Sequence, residues 1–148
     1  MDVLDLRSGA PPRWNAAVDG IVWLPRLAAK VRAYDAGMLG TYLLGQSPVD
    51  DEFLRVAQLS YAEVIAIVRA APDDATVLAG MCARSPGALE RLRAWSLEVQ
   101  ARRRAFMAVL DFDDGYVRPR WADAPVRVFN ALVAPAIGLA RIIRPLRA

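Results

Sequence analysis

The sequence predicts an all-α fold, a compact single-domain bundle of five to seven helices behind an irregular amino-terminal leader. Three observations predict it. Apolar residues recur at three- and four-residue spacings along most of the chain, no alternating run exceeds a few residues, and Ser-Pro, Ser-x-x-Glu and Asp-Asp signals stand where helices would start. At 148 residues the chain is the size of one domain, and its 55% hydrophobic and 24% charged residues suffice for a core. A mean hydropathy of +0.22 is high for a soluble domain without being membrane-like.

Residues 1–20 carry Gly9, Pro11, Pro12 and Gly20 without a sustained period, so they read as a loop-like leader anchored by Trp14. A helix begins near Ile21 to Pro25 and places Leu24, Leu27, Ala28, Val31, Met38 and Leu39 on one side, closed by Gly37 and Gly40 as caps. Ser47-Pro48 starts a short helix carrying Phe53, Leu54 and Ala57. Ser60 and Glu63 form a capping box ahead of Val64, Ile67 and Val68, and Pro72 stops that helix. Asp73 and Asp74 open the next, through Val77, Leu78 and Met81. Ser85-Pro86 opens the longest, about residues 87–110, with a stripe of Leu89, Leu92, Trp95, Val99, Phe106 and Leu110. Asp111 to Gly115 read as a turn, and Asp123 caps a last amphipathic helix over residues 126–144, interrupted by Pro135 and Gly138. The chain thus divides into the leader, a helical part over 21–84, and a long helix plus carboxyl-terminal helix over 85–148.

Absences remove much chemistry. With no histidine, a Ser-His-Asp triad, a Cys-His pair and every His-ligated metal are excluded. Cys82 is the only cysteine, which excludes an internal disulfide and a thiolate cluster, fits a cytoplasmic protein and reads as a packed thiol rather than a nucleophile. The first residues, MDVLDLRSGAPPR, do not resemble a signal or transit peptide. The longest uncharged run near the other end, Val128 to Ala140, has 13 residues, short of a spanning helix. No cofactor is expected.

Residues from Trp23 read WLPRLAAKVRAYDAGMLGTYLLGQSPVDDEFLRV, with L-P-R, K-x-R-A, A-G-x-x-G-x-Y and P-x-D-x-x-F-L elements. The residues are Leu24, Pro25, Arg26, Lys30, Arg32, Ala33, Ala36, Gly37, Gly40, Tyr42, Pro48, Asp50, Phe53 and Leu54. In these the chain resembles the bacterial family called domain of unknown function 5069. The resemblance implies a small bacterial helical protein and carries no activity with it.

Arg26, Lys30 and Tyr34 follow at four-residue spacing, so on a helix they stand one above another, and with Tyr42 they make a candidate ligand-binding neighbourhood for an anionic small molecule or protein segment. The plain alternative is the solvated back of an amphipathic helix. Asp35 projects amid Leu24, Ala28, Val31 and Leu39, so it is expected to be buried. There it would be a proton carrier with a raised pKa, or else be paired with Arg32 or Arg103, or stand where the helix ends early. Asp35 and Asp50 are the candidate catalytic residues of a cofactor-free enzyme in which Arg26 or Lys30 holds an oxyanion.

Asp111, Asp113 and Asp114 do not make a calcium loop, because Gly115 and Ala122 occupy positions that need oxygen ligands, so no metal site is expected. Residues 1–84 carry 8 basic and 10 acidic side chains, and residues 85–148 carry 11 and 6. Even with Arg102, Arg103 and Arg104 in a row, a chain at +3 argues against nucleic acid. The carboxyl-terminal helix, with Phe129, Val133 and Ile137 between arginines, is expected to dock on its own core, the alternative being a membrane surface or a partner. Oligomeric state is left open.

Overall fold

A computed structural model describes residues 3–45, 47–116 and Val128. Six helices are present among them, with one small hairpin. None of these helices is long and apolar enough to cross a membrane. The chain divides into two compact units, Met1–Gln100 and Ala101–Ala148.

The first unit opens with the leader, which the sequence reads as loop. Part of it is instead a hairpin, β1 (Ala17–Val18) paired antiparallel with β2 (Ile21–Val22). The intervening Asp19-Gly20 takes φ of 48° and 81°, the left-handed pair a two-residue hairpin turn requires. Trp14 is buried and its carbonyl accepts from Trp23 N, so it anchors the leader. Leu6 is buried too, its amide bonded to Met38 O. Gly40 explains why that strand of leader can lie so close: a Cβ there would meet Leu6 O at 2.6 Å.

Helix α1 (Leu24–Asp35) is the centre of this unit, and every residue from Leu24 to Val31 is buried. A helix enclosed on all sides must satisfy its polar side chains internally. It packs on β1, α3 (Tyr61–Ala70) and α4 (Asp74–Arg84). Helix α2 (Pro48–Ala57) starts at Ser47, whose hydroxyl accepts from Asp50 N. The Ser60–Glu63 capping box is complete, and the Asp73 carboxylate accepts from Thr76 N at 2.7 Å. These starts follow the sequence signals residue by residue.

Helix α5 (Ala88–Arg102) buries Leu92, Trp95 and Val99, and the Trp95 ring meets Phe53 of α2 edge-on at 5.5 Å. Ser96 Oγ accepts from Val22 N, tying α5 to β2. Arg91 donates to Val56 O, Ala57 O and Ser85 Oγ, so its guanidinium closes the carboxyl end of α2.

The long helix expected over 87–110 breaks at Arg103, where φ of −113° and ψ of 17° leave the helical region, and α6 (Arg104–Asp113) restarts in the second unit. The break resets the apolar phase: Met107, Ala108 and Val109 are buried, while Phe106 is exposed. The sequence placed Asp111 to Asp113 in a turn, but they continue α6, and Gly115 follows with φ of 76°. The helix expected over 126–144, with its proposed docking, lies outside the described residues apart from Val128.

Candidate functional site

Two arrangements carry the polar residues singled out above. The first is buried. Lys30 is ion-paired with Asp50 Oδ2 and also donates to Leu43 O at 3.1 Å. Trp23 Nε1 donates to Asp50 Oδ1 at 2.8 Å, so both carboxylate oxygens are engaged. Asp50 is completely buried, at the amino end of α2 where the helix dipole favours a negative charge. The Arg26 guanidinium lies 5.2 Å from the Trp23 ring centre and 5.8 Å from that of Tyr42, and donates to Pro12 O at 3.2 Å. The Tyr61 hydroxyl is buried beside Asp50 and Asp51 without a hydrogen bond of regular geometry. Burial and the two carboxylates push it far above the ordinary phenol range.

Arg26 and Lys30 were expected to face solvent or a cleft. They are instead 5% and 3% exposed. Helical spacing locates the back of α1 correctly but cannot show that the leader, the 41–45 connector and α2 close over it. Tyr42 does join Arg26, as the sequence suggests, whereas Tyr34 lies farther along, near the Arg69 guanidinium. Lys30 and Asp50 come together across 20 positions of sequence, which neither of their separate roles foresaw. Trp23, which also adopts a φ of 73°, is a site residue that no motif marks, although a buried indole N–H usually finds an acceptor. Sealed from water and fully engaged, Asp50 holds α1, the connector and α2 in register.

The second arrangement is open. Asp35 was expected in the core and is on the surface: α1 ends at Asp35, and although Ala33 in the same turn is fully buried, Asp35 itself is exposed. Its partner is neither Arg32 nor Arg103. Arg69, in the last turn of α3, donates from Nε to Asp35 Oδ2 at 2.8 Å and from Nη2 to Oδ1 at 2.6 Å. The bidentate hydrogen bonds to the Arg69 guanidinium hold the Asp35 carboxyl below its ordinary value, opposite to the rise expected in a core. It is therefore ionised at neutral pH and has no proton to give. Arg32 pairs with Asp74 at 2.6 Å.

Between these helix ends lies an open cleft of about 490 Å³, lined by Arg32, Asp35 and Arg69 and by Val3, Val68 and Pro72 among its apolar residues. Arg69 carries no motif signal, since only the fold brings α3 to the end of α1.

Other candidates contribute less. No group of three or more potential metal ligands occurs among the described residues. Burial pushes the Cys82 thiol up, with Glu90 adding to the effect, so the thiol is kept protonated.

No curated protein matches the chain. The family model for domain of unknown function 5069 matches residues 10–124, which takes in the leader from its prolines, the six helices among the described residues and, Val3 apart, both arrangements just described. Four of the polar residues that carried the resemblance gather in one cluster, Arg26, Lys30 and Asp50 buried and Tyr42 half-buried beside them, and a fifth, Arg32, lines the cleft. The chain therefore belongs to the family of domain of unknown function 5069.

Proposed function

We propose that the protein binds a small anionic molecule, and that the ligand occupies the cleft at the ends of α1 and α3 rather than the Arg26–Lys30–Tyr42 neighbourhood. The observation that carries this reading is the cleft itself: about 490 Å³, with Arg32 and Arg69 each paired to a carboxylate, Arg69 having further N–H donors turned to the opening, and an apolar lining beside them. Small-molecule sites commonly have this size and this mixture of apolar walls with a few polar groups. The buried cluster supports the site from behind by fixing α1, whose end carries Arg32 and Asp35. Binding is favoured over acid and base catalysis because Asp35 is ionised with both oxygens engaged by Arg69, and Asp50 is sealed, with both oxygens taken. The single cysteine, a protonated thiol, suits a reducing cytoplasm, where we place the protein.

The test is a nitrogen-15 chemical-shift titration with sodium acetate and with inorganic phosphate. Shifts confined to the amides of 32–36 and 68–72 support the reading. Shifts centred on 26–30 and 42–50 would move the site to the buried cluster, and no shift with either anion would remove it.

A further inference from the structure

Within the cleft reading, on which this inference rests, we propose that Arg69 takes the carboxylate of a small monocarboxylic acid with a short apolar body, and that Asp35 is the positioning residue that aims Arg69. A guanidinium has five N–H donors in one plane and two edges that match a carboxylate. Asp35 occupies the Nε and Nη2 edge with both of its oxygens, at 2.8 and 2.6 Å. The Nη1 and Nη2 edge, the second carboxylate-shaped face, makes no hydrogen bond to any other described residue, and the Arg69 side chain is 56% exposed at the wall of the cleft. An arginine held by one edge has already lost the rotamer freedom that binding would otherwise remove, so its open edge is prepared for an anion.

Charge decides between anions. Arg69 is balanced by Asp35 and Arg32 by Asp74, so the cleft has no surplus positive charge to draw a polyanion. A single planar carboxylate meets the geometry without requiring one. Val3, Val68, Ala71 and Pro72 line the same cleft and would cover a short hydrocarbon chain.

The experiment titrates butyrate, acetate and inorganic phosphate into the full chain, its Asp35→Asn variant and its Arg69→Gln variant, following the backbone amides and the Arg69 side-chain Nε–Hε signal. Both side chains reach the surface, so the variants keep the fold, which a thermal melt verifies. Butyrate should bind more tightly than acetate, by roughly fourfold for each methylene buried. Phosphate should bind more weakly than butyrate. Arg69→Gln should abolish the cleft shifts. Asp35→Asn should weaken butyrate by about two- to tenfold, the effect of having to order one long side chain on binding. The Nε–Hε signal should stay in place in the unaltered chain when butyrate is added, because Asp35 keeps that edge, a readout that a merely structural pair would not govern. If butyrate binds more tightly to Asp35→Asn and moves the Nε–Hε signal, Asp35 is a competitor and the positioning role is overturned while the cleft reading stands. Equal binding to both forms overturns the positioning role in the same way. Phosphate binding more tightly than butyrate overturns the monocarboxylate. No cleft shift with any probe overturns the inference and the cleft reading together.

Discussion

Replacing Lys30 by Met removes the cation from a pair in which Lys30 is 3% exposed and Asp50 fully buried. The methionine keeps most of the volume, so the loss is electrostatic. Asp50 then retains the Trp23 N–H and its place at the start of α2 but has no counter-charge in a site water does not reach. Breaking a buried pair by removing one partner typically costs about 3–5 kcal/mol, because the surviving charge stays desolvated. Set against total stabilities of about 5–15 kcal/mol, that is a large fraction. Lys30→Met combined with Asp50→Leu removes both charges and should cost less than Lys30→Met alone. It will not reach zero, since Trp23 Nε1 loses its acceptor, a penalty of about 1–3 kcal/mol. Urea unfolding followed by tryptophan fluorescence gives both numbers, and Trp23 reports from within the cluster. A Lys30→Met cost under about 1 kcal/mol, or a double variant less stable than the single, would refute the reasoning.

Asp35 and Arg69 form an exposed pair, so Arg69→Ala should leave the urea midpoint almost unchanged in the same assay, in contrast with Lys30→Met. Because Asp35 titrates lower when folded, its small contribution is present above its unfolded value of 3.8 and is lost as pH falls through the lower folded value. A stability profile of Asp35→Asn against the parent chain should therefore converge at acid pH. Ser60→Ala removes one half of a complete capping box and should cost about 1 kcal/mol in urea unfolding. Gly40→Ala puts a Cβ 2.6 Å from Leu6 O at a φ of 64°, so it should release the leader, seen as faster proteolysis before Trp14 with helix content retained in circular dichroism.

Much of the fold was legible because its signals are local. Ser47, Ser60 and Asp73 cap the helices that follow them, and the apolar spacing of Leu24, Leu27 and Val31 or of Leu92, Trp95 and Val99 marks the buried faces. The Asp19-Gly20 turn is equally local, but the strands it joins are two residues each, too short to show a period. The break at Arg103 was not legible, since the apolar pattern runs on through it in sequence.

The site was legible only in part. Arg26, Lys30, Tyr42 and Asp50 were identified by type and spacing, yet whether a charged residue on the back of α1 meets water or a carboxylate depends on what folds over it. Asp35 shows the opposite error. Its direction on the helix predicts the core, but α1 ends at this residue and leaves it exposed, and its partner comes 34 positions later from α3.

In this reading the buried cluster is scaffold and the cleft is where a ligand sits. A crystal structure of the protein grown with butyrate tests it most directly. The expected density is a carboxylate against Nη1 and Nη2 of Arg69, with Asp35 still on the Nε and Nη2 edge and the Lys30–Asp50 pair unchanged. Butyrate seated between Lys30 and Asp50, or against Arg26 and Tyr42 with the cleft empty, would contradict it.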